Sequence, residues 1–193
     1  KQIKIIQYMS SGLSTQNSLL LKKLLEFYNK DGNMEKILPI INGESTVSLR
    51  LVDWFATNYS KKYYTVYLLK DNYGLEKRFK VYIDYKLKLK AYSKKRFDPF
   101  CRWDRITIPY KGDTVIQTTI GQLNFFKWVL EHKILDYIEK NFNEIKKDQD
   151  NRNSTAKNRK VKVKQTRKKR EELSISASKS IKKEQVEIIV DFK

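Results

Sequence analysis

Three stretches of this chain carry residues whose types and spacing suit one kind of chemistry, the holding of a polyanion. The first is the alternating run at 81–92. Read as a strand, it turns Val81, Ile83, Tyr85, Leu87 and Leu89 to one face and Tyr82, Asp84, Lys86, Lys88, Lys90 and Tyr92 to the other. Side chains two apart on a strand stand about 6.5–7 Å apart. That is close to the step between phosphates of an extended single strand, and tyrosines flanking such a row stack on bases. The competing reading is that lysines decorate exposed strands to block edge pairing.

The second stretch is SKKRFDPFCRWDR (93–105), where Lys94, Lys95, Arg96, Arg102 and Arg105 are interleaved with Phe97, Phe100 and Trp103. Arginine grips phosphate with two parallel hydrogen bonds, and aromatic rings stack or wedge. Against this stands a packed loop whose rings plug the core while arginine pairs with Asp98 and Asp104. The rings fit the core reading better, and the lysines and Arg96 fit the anion reading. The third stretch is KNRKVKVKQTRKKR (157–170), with nine basic residues in fourteen. Arg159, Lys160, Lys162, Lys164, Arg167, Lys168, Lys169 and Arg170 form a nucleic-acid arm, because neutralising many phosphates releases their counterions. Arg167–Arg170 also reads as a nuclear-import signal. A clamp on anionic lipid lacks an accompanying amphipathic helix or lipidation motif, and a solvated linker is the plainest alternative.

Catalytic groupings are sparse. Asp84-Tyr85-Lys86, with Asp71 in the preceding turn, matches in outline the carboxylate-x-lysine pattern of metal-dependent nucleases, in which two acids hold Mg²⁺ and a lysine positions water. Acid-x-Lys arises often by chance in a lysine-rich chain, and Asp is expected in a turn anyway. No Gly-rich phosphate loop, Ser/His/Asp set or Cys/His pair is visible. The chain has one His, His132, read as a surface or boundary residue, and one Cys, Cys101, read as buried and structural. These two cannot build a Cys/His zinc site or an intramolecular disulfide, and a lone Cys suits a reducing compartment. The expectation is therefore no enzyme, no cofactor and no metal.

Composition supports the anion reading. The chain has 193 residues, 41 Lys+Arg against 22 Asp+Glu, and a formal net charge of +19. Such an excess attracts nucleic acid or an anionic membrane. Residues 1–150 carry 27 basic and 17 acidic residues, and 151–193 carry 14 and 5, so the folded part is basic as well as the tail. At 40% hydrophobic and 12% aromatic the chain supports a core. No apolar run approaches the ~20 residues of a membrane span. The start, KQIKIIQYMSSG, is too mixed for a signal peptide.

The elements that would position these residues follow from periodicity. Ile3–Tyr8 reads as a short strand, and 16–31 as an amphipathic helix ended by Asp31-Gly32-Asn33. Residues 34–41 form a short helical or extended piece. Ser48 caps a second helix with Leu49, Val52, Trp54, Phe55 and Tyr59 on its apolar face and Lys61-Lys62 at its end. YYTVYLL (63–69), a turn at 71–74 and the long strand 78–92 suggest a hairpin, and RITIPY with TVIQTTI around Gly112-Asp113 a second. A third helix starts near Thr119 and breaks near His132-Lys133. Composition changes at about 148, and VEIIVDF (186–192) is β-like again.

Four stretches, LRLVDWFATNYSKK (49–62), LKAYSKKRFDPFCRWDRI (89–106), TTIGQLNFFKWVLEHKILDYI (118–138) and TRKKREELSISASKSIKK (166–183), resemble an uncharacterised protein group of nucleocytoplasmic large DNA viruses. The resemblance implies a viral origin and a cytoplasmic factory or virion setting, and carries no mechanism. The expected fold is α+β, with helices packed on a small, mostly antiparallel sheet over 1–148, a basic flexible tail over 149–185 and a docking strand over 186–193. The expected function is non-enzymatic, phosphate-directed nucleic-acid binding, DNA before RNA, in genome packaging, organisation or transcription. The alternative is a minor capsid or core-scaffold component whose tail and terminal strand bind viral protein partners.

Overall fold

The computed structural model describes residues 15–70, 74–111, 114–162 and 183–185. Helix α1 (Thr15–Tyr28) is followed, after a turn through Asp31 and Gly32 at positive φ, by α2 (Asn33–Asn42), which Gly43 ends in the left-handed conformation. Next come α3 (Leu49–Trp54), a π-helical turn (Phe55–Tyr59) and a last turn, α4 (Ser60–Lys62). Ser48 caps α3 as its sequence position predicts, its hydroxyl accepting from the Leu51 amide at 3.2 Å. Strands β1 (Val66–Lys70) and β2 (Glu76–Lys80) pair antiparallel, with Val66 opposite Lys80. Helix α5 (Val81–Arg96) follows without a linker. Strands β3 (Arg105–Pro109) and β4 (Thr114–Thr119) pair antiparallel, with Ile108 opposite Ile116, both buried. Then come α6 (Ile120–Glu131), α7 (Ile134–Lys140) and α8 (Phe142–Lys162). A short β5 (Lys183–Gln185) adds to the free side of β4. The architecture is α+β, as expected, with two small antiparallel sheets, β1-β2 and β3-β4-β5.

The core gathers around α6. Leu123, Phe125, Phe126 and Val129 are fully buried, and they meet Leu24 of α1, Ile37 of α2, Val52 and Phe55 of the α3 region and Ile138 of α7. A helix buried nearly all round must satisfy its polar side chains internally. Gln122 does so by accepting from Thr118 Oγ1 at 2.9 Å and donating to the Pro99 carbonyl at 2.8 Å. Asn124 donates to the Arg96 carbonyl at 2.8 Å, and Tyr28 donates to the Leu123 carbonyl at 2.7 Å. The Thr119 hydroxyl caps the helix by accepting from the Gln122 amide. The break predicted near His132-Lys133 is real. Lys133 adopts φ 51°, so the chain turns there between α6 and α7.

One expectation fails. Residues 78–92 are not a long strand: β2 stops at Lys80 and residues 81–96 are helical. The alternating apolar pattern misleads because Ile83 and Leu87 are exposed, at 54% and 60%. The residues packed on the core are Val81, Tyr85, Leu89 and Tyr92, spaced four, four and three apart, which is a helical period. Leu, Lys and Ala favour helix over strand here, Asp84 lies in the first turn, and Lys94, Lys95 and Arg96 lie in the last. Tertiary contacts fix the choice, since the Trp128 indole donates to Asp84 Oδ1 at 2.6 Å and Tyr85 packs on Trp128. Ser93, at φ 61° and ψ 168°, interrupts the regular helical path before the final residues.

The predicted strand at Ile3–Tyr8, the turn residues 71–73 and 112–113, the tail from 163 to 182 and VEIIVDF (186–192) lie outside the described residues. Helix α8 runs past the composition change at 148, as far as Lys162.

Gly121 is the most closely approached of the described glycines. A Cβ there would lie 2.9 Å from the Lys95 carbonyl oxygen and 3.4 Å from the Phe97 nitrogen, while its own carbonyl accepts from the Asp98 amide at 3.2 Å. Gly121→Ala should therefore push α6 off the 95–98 segment and destabilise the domain by about 1–3 kcal/mol, the usual cost of overpacking. Urea unfolding of the two proteins measures it, and an unchanged midpoint would refute the close approach.

Candidate nucleic-acid interface

The helical form of residues 81–96 redistributes the predicted site. Lys86, Lys88, Lys90 and Tyr92 do not form one row. Successive helical residues turn by about 100°, so residues two apart face nearly opposite ways. Lys86 and Lys90, one turn apart, stay exposed on the outer face, and Lys94 is exposed beyond them. Lys88 is half-buried, and Tyr92 turns inward and stacks on Phe97 with centroids 6.3 Å apart. The same geometry removes the strand setting that the Asp84-x-Lys86 pattern requires. Asp84 is engaged by Trp128, Lys86 points away from it, and Asp71 is outside the described residues. Among the described residues no group of three or more His, Cys, Asp or Glu is placed to hold a metal ion.

The 93–105 loop is mostly committed to structure. Phe97, Phe100 and Cys101 are buried, as the core reading of this loop expects, and Trp103 is 42% exposed. Arg102 forks onto the buried Asp98, with Nε to Oδ2 at 2.8 Å and a second guanidinium nitrogen to Oδ1 at 2.7 Å. Lys95 pairs with Asp104 at 2.8 Å. Arg96 donates to Asn17 Oδ1 at 2.7 Å, and Arg105 to Gln117 Oε1 at 3.1 Å. Burial pushes the Cys101 thiol up, away from reactivity, against the lesser pull of Arg105. His132 is half-buried, ends α6 and stacks on Phe79 at 4.4 Å.

What the loop and helix leave available is the outer face of α5. The helix holds six basic residues and a single acid, and that acid is turned inward onto Trp128. Lys86 and Lys90 therefore form a strip of positive charge with no carboxylate on their own face of the helix, and Lys94 adds an exposed charge past the break at Ser93.

A second basic and aromatic surface was not singled out in the sequence. The end of the α3–α4 helix and the start of α8 enclose an open groove lined by Trp54, Tyr59, Lys61, Lys62, Tyr63, Tyr64, Lys147, Asp148 and Arg152, among others. Asp148 organises it. The carboxylate accepts from Trp54 Nε1 at 3.1 Å and from the Tyr63 hydroxyl at 3.2 Å, and it pairs with Lys62. Burial pushes Asp148 up, but these hydrogen bonds and the Lys62 charge outweigh it and hold the carboxyl below its usual range. Arg152 lies over the Trp54 ring at 5.8 Å. The groove connects to α5, since Lys61 lies 5.7 Å from the Tyr82 ring and Tyr82 is one turn from Lys86. Helix α8 carries the chain from the groove into positions 157–162, where Arg159, Lys160 and Lys162 of the basic run fall on helix. Lys164 and Arg167, Lys168, Lys169 and Arg170 are outside the described residues. The signal in the sequence was Lys61-Lys62-Tyr63-Tyr64, which reads more readily as a helix end running into a strand. In the structure the strand begins only at Val66, leaving both tyrosines outside it.

Asp53 of α3 feels the charges of Asp98 and Arg102. Burial, and then the negative charge of Asp98, push Asp53 up to about 6, against the pull of Arg102. Between its unfolded value, about 4, and about 6, the native state keeps a proton that the unfolded chain has lost. Stability therefore falls as pH rises through that window and stays lower above it. Asp53→Asn should raise Tm at pH 7.5, with a gain of about 1–2 kcal/mol, and change it little at pH 4. Calorimetry at the two pH values reads the difference, and an equal effect at both would contradict it.

Residues 7–192 match a family described as a family of unknown function, DUF7197. The chain is 41% identical over 149 residues to the uncharacterized protein L507 of Acanthamoeba polyphaga mimivirus, covering 74% of this chain and 56% of that protein. The chain thus spans little more than half the length of this relative. No solved structure matches. The chain belongs to the DUF7197 family, and its likeness to a giant-virus protein agrees with the resemblance seen in its sequence.

Proposed function

We propose that this protein binds nucleic acid without catalysis, by contacts to phosphates and with DNA as the principal target, in the packaging, organisation or transcription of a giant-virus genome. The observation that supports this most is the outer face of α5, where Lys86, Lys90 and Lys94 are exposed and the helix's only acid is turned away. Lys86 and Lys90 stand one turn apart, about 6 Å along the helix axis, so they address neighbouring phosphates of a strand laid along the helix. The basic run 157–170, entered from α8, extends the same contact and supplies the long-range attraction. The net charge of +19 acts in the same direction.

Salt is the lever in such binding, since each neutralised phosphate releases counterions. The viral factory in the host cytoplasm, or the virion, is where this activity belongs, and Arg167–Arg170 would serve nuclear entry. No helix among the described residues is long and apolar enough to cross a membrane.

The test is fluorescence anisotropy of the full chain on labelled duplex DNA across a salt series, beside a Lys86→Ala/Lys90→Ala/Lys94→Ala variant. All three side chains are exposed, so folding is expected to survive. The parent should bind with affinity that falls steeply with salt, and the variant's log–log slope should be shallower by about 2–3. An identical slope would remove the helix face from the interface. No binding by the parent at near-physiological salt would overturn the function and favour a protein partner in the virion.

A further inference from the structure

We infer that the groove between α4 and α8 is a base-stacking site for single-stranded nucleic acid, with Tyr63 and Tyr64 as its platform. The inference rests on the nucleic-acid reading and narrows it from phosphate attraction to a preference for unpaired strands.

Tyr64 carries most of the argument. It is 86% exposed, the most exposed of the large hydrophobic residues among those described, and its backbone stands at φ 50°. A bulky residue in the left-handed region is strained, at a cost of order 1–3 kcal/mol. Here two backbone bonds surround the strained residue. The Tyr63 amide donates to the Tyr59 carbonyl at 3.0 Å, and the Thr65 amide donates to the Ser60 carbonyl at 3.1 Å. The chain thus leaves α4 in a tight turn that thrusts one aromatic ring into solvent. Among the described residues no hydrogen bond, ion pair or ring contact engages that ring.

Tyr63 is its prepared neighbour. It is half exposed, packs on the buried Tyr59 with centroids 4.5 Å apart, and is tethered through its hydroxyl to Asp148. A ring fixed at its base and its tip presents its remaining face with little conformational freedom left to lose. Lys62 is drawn to the same carboxylate and lies over the Tyr63 ring at 4.6 Å, so the cation is held against that ring. This is the pairing that single-strand binders use, with a ring for the base and a cation for the phosphate.

Charge selects the occupant. Lys61, Lys62, Lys147 and Arg152 line the groove against Glu144 and Asp148. Asp148 is already occupied by three donors, and Glu144 accepts from the Tyr59 hydroxyl at 3.4 Å. The remaining field is positive, suited to an anionic chain that also offers flat faces. A duplex hides its base faces in its stack, so it meets the cations but not the rings. The link from Lys61 over Tyr82 to Lys86 gives the strand's backbone a continuous path toward the α5 face.

The experiment uses the full chain and two fluorescein-labelled probes, an unstructured oligothymidine and a mixed-sequence duplex, with Tyr64→Ala, Tyr64→Phe and Tyr63→Ala variants. Tyr64→Ala should weaken oligothymidine binding about tenfold, within the range measured for loss of one base–aromatic stack, and leave duplex binding within about twofold. Tyr64→Phe keeps the ring and should bind as the parent does. Tyr63→Ala should weaken the single strand in the same way. If Tyr64→Ala weakens both probes equally, or neither, the stacking site is refuted. If the parent binds duplex but not oligothymidine, the stacking site is refuted while the phosphate-directed function stands. Failure of the parent on both probes refutes both.

Discussion

Everything in this domain depends on how closely the first turn of α6 approaches the segment 95–99. Gly121 allows it, because any side chain there meets the Lys95 carbonyl. Gln122 and Asn124 fasten it by bonding to the Pro99 and Arg96 carbonyls, and the Gly121 carbonyl takes the Asp98 amide. Three consequences follow. Phe97 is set among Phe125, Trp128, Tyr85 and Tyr92. Asp98 is placed, buried, where Arg102 must come to it. The inner face of α5 is settled, since Trp128 reaches Asp84 from one side of the same helix. With that face fixed, Lys86 and Lys90 have nowhere to be but outside.

Much of the framework was legible in the sequence because it rests on local rules. The Ser48 cap, the antiparallel pairing of β1 with β2 and of β3 with β4, and the break at Lys133 follow from residues near one another in the chain. Periods of 3.6 identified α1 and α6 because their buried faces are wide. The failure at 81–96 has a different cause. Val81, Tyr85 and Leu89 fit both a strand face and a helix face, and Ile83 and Leu87 completed an alternation that the folded protein does not bury. Only the partners distinguish the two. Trp128 lies 44 residues from Asp84, and no local pattern announces that contact.

The site was half legible for the same reason. Lysine density marked α5 correctly as a charged element, but its face depends on the period, and the period was misread. The arginines of the 93–105 loop carry the right chemistry for phosphate, yet Arg102 is bound to Asp98, four residues before it, and Lys95 to Asp104. Their acidic partners lie within the same stretch, four and nine residues away. The groove was missed because it assembles Tyr63 and Lys62 with Asp148, which lies 85 and 86 residues further along. Its aromatic members looked like the start of a strand. A left-handed residue at 64 is what separates them from it, and such a conformation is unusual for tyrosine.

These features make one basic, aromatic track, from the groove past Lys61 and Tyr82 to α5. The most direct test of that track is photocrosslinking of the full chain to a single strand carrying 5-bromodeoxyuridine, with adducts mapped by peptide mass spectrometry. Adducts on Tyr63 or Tyr64, with protection of Lys86 and Lys90 from amine labelling in the complex, are the predicted result. Adducts confined to residues beyond 162, with Lys86 and Lys90 labelled as in the free protein, would contradict the account and leave the tail as the whole of the binding surface.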